Sequence, residues 1–203
     1  MGEEGVPTVD EFVKDRLKEG GCLGFDGRVV NGTWGGRLEK IAAEKNVSMH
    51  VTEDLIDLIW EDRPALSKQP LFILEEKYSG KSTADKIGDL RKAMKENGAD
   101  VHILTSLYDI AWLLNMRGND VESTPVILSY LLLGQQEIIW YVQEECLSEK
   151  IKILLEMQGI KNAPYAQIYE DVKKLPEEAS VYYDKAAVNT ALVSALPEKV
   201  KKI

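Results

Sequence analysis

Apolar positions in the first sixty residues alternate between helical and strand spacing. Thr8 followed by Glu11 is a capping-box pattern, and Phe12, Val13 and Leu17 supply an apolar face, so a helix is expected there, closed by Gly20-Gly21. Cys22 to Phe25 reads as a short strand between that stop and the turn pairs Asp26-Gly27 and Asn31-Gly32. A second helix is predicted from Thr33 to Lys45, burying Trp34, Leu38, Ile41 and Ala42. Val47 to Val51 alternates as a strand. Asp54 to Trp60 has the spacing of a short helix with Leu55, Ile56 and Ile59 inward. Pro64 and Pro70 then fall among polar residues and mark a linker, which sets a boundary between residues 1–64 and 65–203.

The longer part repeats the alternation. Ile87, Leu90 and Met94 predict a helix from Thr83 to Asn97, with Gly98 beyond its end. A strand follows at Val101–Thr105, then a strongly apolar helix from Leu107 to Met116 that Arg117-Gly118 should stop. Val126–Leu133 and Glu137–Val142 flank Gly134-Gln-Gln136 and read as a hairpin. Helices are expected at Leu147–Gln158, Tyr165–Lys174 and Lys185–Ala195. Strands are expected at Ser180–Tyr183 and, at the end, from Val200. Helices interleaved with short strands and one hairpin define an α/β layer fold with a mixed β-sheet flanked by helices.

Charge narrows the function. The 203 residues carry 25 Lys+Arg against 34 Asp+Glu, a net charge of −9, which disfavours a nucleic-acid grip built on clustered cations. The longest apolar run, Pro125 to Leu133, is far short of a membrane span, and the first residues lack the pattern of a secretion signal. With two distant cysteines, Cys22 and Cys146, a disulfide framework is not expected; a cytoplasmic location and buried, inert thiols are.

Searches for local chemistry return little. Ser79-Gly-Lys-Ser-Thr83 resembles the end of a phosphate loop, but the Gly required five positions before Gly80 is Glu75, so a capped helix start is preferred. His50 and His102 lack metal-ligand spacing, and no nucleophile elbow is present. Trp112, Trp140, Tyr130 and Tyr141 fall on apolar faces and are expected in the core. One segment is different: an apolar helix running directly into Asn115, Arg117, Asn119 and Asp120. Such a cluster either pairs internally with free helix carbonyls or lines the rim of a site or interface.

That segment, Ile110-Ala-Trp-Leu-Leu-Asn-Met-Arg-Gly-Asn-Asp120 with Pro125-Val-Ile-Leu-Ser-Tyr130, resembles the middle domain of three-domain Xaa-Pro aminopeptidases of the creatinase/prolidase superfamily. Leu58-Ile-Trp-Glu-Asp-Arg-Pro64 is similar to that family's link between first and second domains. Tyr78-Ser-Gly-Lys-Ser-Thr-Ala-Asp-Lys86 and Leu90-Arg-Lys-Ala-Met94 are similar to the opening helix of the second. The resemblance implies that residues 65–203 are a creatinase N-terminal-like domain. Residues 1–64 would then be the later half of a preceding, similar domain that is truncated.

The family's chemistry, as the resemblance implies it, sits in a further pita-bread domain. There two divalent metals, usually manganese, serve removal of an N-terminal residue that precedes proline. None of its ligand motifs matches here, so no catalytic, metal or cofactor-binding residue is assigned to this chain, which alone should be inactive. Its implied roles are to shape substrate access and to make contacts with the parent's own catalytic domain or within a homodimer. Asn115, Arg117 and Asp120 are the candidates for the face toward that domain. Peptides with proline second are the implied substrates of the parent; neither nucleic acid nor a membrane is an expected partner. Two other readings stand beside this one: a stand-alone scaffold without activity, and a small nucleotide-binding domain using Gly80 to Thr83.

Overall fold

The computed structural model describes residues 4–203. In chain order the elements are α1 (Val9–Arg16), β1 (Cys22–Gly24), α2 (Gly32–Glu44), β2 (Ser48–His50), β3 (Phe72–Ile73), α3 (Glu76–Ser79), α4 (Thr83–Glu96), β4 (Val101–Leu104), α5 (Leu107–Leu114), β5 (Met116–Arg117), β6 (Ser129–Gly134), β7 (Ile138–Val142), α6 (Glu149–Met157), β8 (Lys161–Ala163), α7 (Ile168–Asp171), β9 (Ser180–Tyr182), α8 (Thr190–Ala195) and β10 (Lys201–Lys202). They form two compact units. One holds the chain through Arg63 and takes back Lys185–Ser194; the other holds Pro64–Asp184 and Ala195–Ile203.

The first unit starts with local chemistry. The Thr8 hydroxyl accepts from the Glu11 amide, and the Glu11 carboxylate accepts from the Thr8 amide at 2.7 Å, so α1 is capped reciprocally. Asn31 caps α2 by accepting from the Trp34 amide at 2.8 Å. β1 and β2 pair in parallel, Cys22 opposite Ser48 and Gly24 opposite His50. Leu38, Ile41 and Ala42 of α2 are buried with Val30, and so are Val188 and Leu192 of the returning segment. That segment is stitched on by backbone: the Gly32 amide donates to Val188 O at 2.8 Å, the Thr33 amide to Lys185 O at 2.9 Å, and the Thr190 amide to Val30 O at 2.8 Å. The Thr190 hydroxyl also donates to Val30 O at 2.9 Å. α2 can come this close only because residue 35 is glycine; a Cβ there would lie 2.1 Å from Thr190 Oγ1.

Four expectations fail in this unit. Trp34, expected to be buried, is half-buried, its indole N–H donating to Asp10 Oδ1 at 2.7 Å. Phe12 is exposed, so α1 buries less of its apolar face than its pattern suggests. Cys22 is exposed rather than buried. Residues 54–60 form turns rather than a helix, and Leu55, Ile56 and Ile59 face outward. The reason lies in Asp54. Its Oδ1 accepts from the Ile56 amide at 3.1 Å, a local bond that competes with helix formation. Its Oδ2 is taken by the guanidinium groups of Arg28 and Arg63.

The second unit is built on a six-stranded mixed sheet in the order β10-β9-β4-β6-β7-β8. β6 and β7 form the expected hairpin, with Leu131 opposite Trp140. β4 runs antiparallel to β6 and parallel to β9, while the edge strands β8 and β10 are parallel to their neighbours. The core draws Ile87 and Met94 from α4, Ile110, Leu113 and Leu114 from α5, and Ile151 and Leu155 from α6. These pack with Leu131, Leu133, Ile138 and Trp140 of the hairpin. A small antiparallel ribbon, β3 with β5, sets Phe72 opposite Arg117 and Ile73 opposite Met116.

Three helix assignments change. Of the expected Tyr165–Lys174 helix only Ile168–Asp171 is α-helical, with a tighter 3₁₀ turn on either side. α5 stops at Leu114, because Asn115 takes a left-handed conformation (φ 52°) that turns the chain into β5. Only Thr190–Ala195 of the expected Lys185–Ala195 helix is helical, the residues before it being committed to the stitching described above.

Candidate functional site

The polar cluster picked out by sequence lies where α5 ends. Four carbonyls at a helix C-terminus lack helical partners, and a cation placed there also meets the negative end of the helix dipole. Two cations serve this end. Lys86 of α4 donates to Trp112 O at 2.7 Å, and Arg117 Nη1 donates to Ala111 O at 2.5 Å and to its neighbour's carbonyl, Met116 O, at 2.9 Å. Asn115 joins the parts: its Oδ1 accepts from Lys86 Nζ at 2.6 Å, its Nδ2 donates to Lys81 O at 2.9 Å, and its own carbonyl accepts from the Leu74 amide at 2.8 Å.

Lys86 is the unusual member. Its residue is 1% exposed and it has no carboxylate partner among the described residues; the ammonium rests on two oxygens and on the Trp112 ring, 4.5 Å from the centroid. Burial, and then the charges of Arg117 and Lys81, hold its pKa below the usual lysine range. Sequence reading missed it because lysine counts as a surface residue. The available signal was its position three after Thr83 and one before Ile87, on the buried stripe of α4. Trp112, expected in the core, is instead 52% exposed and covers this ammonium from outside; Trp140, Tyr141 and Tyr130 are buried as expected.

The three candidate residues divide. Asn115 is buried and fully engaged. Arg117 uses one nitrogen for carbonyls, and no described residue accepts from its Nε or Nη2. Asp120 accepts from the Leu128 amide through Oδ2 at 2.7 Å, while its buried Oδ1 has no partner among the described residues. Arg117 and Asp120 do not pair with each other. The phosphate-loop look-alike is a pair of helix boundaries: Gly80 (φ 75°) ends α3, and the Ser82 hydroxyl caps α4 by accepting from the Asp85 amide at 3.1 Å.

A cleft of ≈ 230 Å³ lined by Leu90, Met94, Asn97, Ala99, His102 and Tyr182 is mostly apolar. The His102 ring lies 4.9 Å from that of Tyr182. Burial lowers the His102 pKa from 6.5 to about 4, with Asp109 opposing weakly. A depressed imidazole favours the folded state when neutral. Stability is therefore expected in full above pH 6.5 and to fall as pH drops toward 4, by about 3 kcal/mol in total. Urea midpoints across that range should show the loss, and His102→Gln should flatten it; an equally steep loss in the variant would assign it elsewhere.

Among the described residues no three His, Cys, Asp or Glu side chains come together to hold a metal. Nor is any helix long and apolar enough to cross a membrane. The fold and this cluster define an α/β domain of recognisable descent. Residues 62–203 match the family described as "Creatinase/Prolidase N-terminal domain", and the chain belongs to that family.

Its relatives are consistent. A probable Xaa-Pro aminopeptidase P of Sordaria macrospora is 34% identical over 181 residues, covering 88% of this chain and 30% of its own length. The Xaa-Pro aminopeptidase 1 of Dictyostelium discoideum is 30% identical over 213 residues, covering 98% of this chain and 34% of its own. Among solved structures, the X-prolyl aminopeptidase of Caenorhabditis elegans, described as a cytosolic enzyme with a di-nuclear active site, superposes on all of this chain. The TM-score is 0.90 and the identity 26%, over 34% of that protein. The chain thus spans about a third of the length of the relatives it matches.

Proposed function

We propose that this chain is the non-catalytic portion of a metal-dependent Xaa-Pro aminopeptidase, acting on peptides whose second residue is proline. Residues 1–64 are read as the later half of a first N-terminal domain, and residues 65–203 as the second. What supports the reading is the correspondence of the whole chain to one third of the Caenorhabditis elegans enzyme. That relative's di-nuclear centre has no counterpart among the described residues, which do not fit a two-metal site; no catalytic step is derived from them. The metals, manganese by resemblance, belong to the other two thirds, and the cytosolic location of that relative is carried over with them.

In this reading the chain shapes access of peptides to a catalytic domain and supplies contacts to that domain or to a second protomer. The unused Nε and Nη2 of Arg117 are the groups available for such contacts, with Asn115 holding the turn that presents them and Asp120 bracing the chain behind it through the Leu128 amide. The test is cleavage of an Xaa-Pro peptide with added Mn²⁺, by this chain and by the chain continued through the coding sequence that follows it. Activity is expected only in the longer protein, where Arg117→Ala should reduce it or loosen the domain. Cleavage by the 203-residue chain would place a metal site in residues assigned here to structure. Inactivity of both would favour a scaffold instead.

A further inference from the structure

Segment 53–62, Glu-Asp-Leu-Ile-Asp-Leu-Ile-Trp-Glu-Asp, lies wholly in the first unit and reverses the usual logic of a turn. Its apolar residues point out. Leu58 is 78% exposed and Ile59 76%, and Leu55, Ile56 and Trp60 are also exposed. Meanwhile the polar residues at its base are tied down. The Asp54 side chain is nearly buried and held by two guanidinium groups, Arg28 at 2.6 Å and Arg63; Arg63 also pairs with Asp57 at 2.6 Å and lies 5.8 Å from the Trp60 ring centroid. Arg63 keeps the Asp54 carboxyl below the usual range, so the clamp stays charged at neutral pH. A loop with free apolar residues and no such anchor would fold them inward. Here the ion cluster fixes the backbone while five large apolar side chains stand in solvent, the pattern of an interface patch.

Charge and length decide what covers it. Glu53, Glu61 and Asp62 border the patch and have no ion-pair partner among the described residues. Two copies meeting through this same surface would bring six unpaired carboxylates together, which like-charge repulsion opposes. The fitting occupant has an apolar socket rimmed by Lys or Arg. The relatives possess about twice as much further polypeptide as the part matched here.

We infer that the Leu55–Trp60 patch is a docking surface for the metal-bearing remainder of the longer polypeptide, received there in an apolar socket with a basic rim. The inference rests on the function proposed above and adds to it a surface in the first unit, separate from Arg117 and Asp120.

Hydrogen exchange tests it. Amides of residues 55–60 should exchange at least ~10-fold more slowly in the longer protein than in the 203-residue chain. Leu58→Asp with Ile59→Asp should leave the melting temperature of the short chain nearly unchanged and restore the faster exchange in the long one. Equal exchange in the two wild-type proteins would overturn the inference, whatever the variant does. So would a concentration-dependent dimer of the short chain that the double variant dissolves, since the occupant would then be a second copy. A longer protein that cleaves Xaa-Pro peptides yet leaves residues 55–60 unprotected sinks this inference alone; one that is inactive sinks the function beneath it.

Discussion

Asn115→Ala is expected to destabilise the second unit by about 3 kcal/mol, more than two ordinary hydrogen bonds account for. Asn115 sits at φ 52°, where a β-carbon is strained unless the side chain can bond locally, as asparagine does. Alanine keeps the strain and removes the compensation. It also takes Oδ1 from Lys86 Nζ, leaving a fully buried ammonium with Trp112 O and an aromatic face. A bond to a charged group contributes about 1.5–3 kcal/mol, and the lost Nδ2 bond to Lys81 O adds to it. Asn115→Gly should recover the strain and none of the bonds. Lys86→Met should cost less than Asn115→Ala, because it removes the buried charge instead of orphaning it. Urea unfolding at constant m-value measures all three; Lys86→Met as the worst of the set would refute this account of the cluster.

Gly35→Ala should be comparably harmful to the first unit, at about 2–4 kcal/mol, slightly beyond the usual cost of overpacking. The new Cβ would sit 2.1 Å from Thr190 Oγ1 and 2.8 Å from Thr190 Cγ2, and neither can swing away cheaply. The hydroxyl donates to Val30 O, and the Thr190 amide is bound to the same carbonyl. Relief therefore means separating α2 from the returning segment. Thr190→Ala alone forfeits one buried hydroxyl bond, about 1 kcal/mol. In the Gly35→Ala background it removes both clashing atoms, so the pair should be less damaging than the sum by about 1–3 kcal/mol. Strict additivity would mean that the helix shifts without pressing on Thr190. Segment-resolved hydrogen exchange should show protection lost over Gly32–Glu44 and kept over β6 and β7.

Elements signalled by neighbours in sequence were legible. Thr8 with Glu11 and Ser82 with Asp85 are caps that close within three residues, and both start helices where their chemistry predicts; Asn31, read as a turn residue, caps α2 in the same way. The hairpin of β6 and β7 was equally local. What escaped was settled at a distance. Residues 54–60 have helical spacing, but Arg28 and Arg63 capture Asp54 and the turn follows them. β3 and β5 are two residues each and exist only by pairing across forty-odd positions. At the candidate site, Asn115 and Arg117 were visible as a polar break after an apolar helix. Lys86, which binds the first of them, was hidden because a buried cation looks like surface until its acceptors are known.

The returning segment carries a consequence for synthesis. The Thr190 bonds to Val30 join residues 160 apart, and Val188 and Leu192 complete the apolar interior beside Leu38 and Ile41. A chain emerging from the ribosome meets these partners in the wrong order. The second unit has nearly all its strands before the first has its closing piece, and until residue 194 is free α2 shows solvent the face that those side chains cover. A chain ending at the link near Pro64 would leave the earlier unit permanently in that state, without its closing piece.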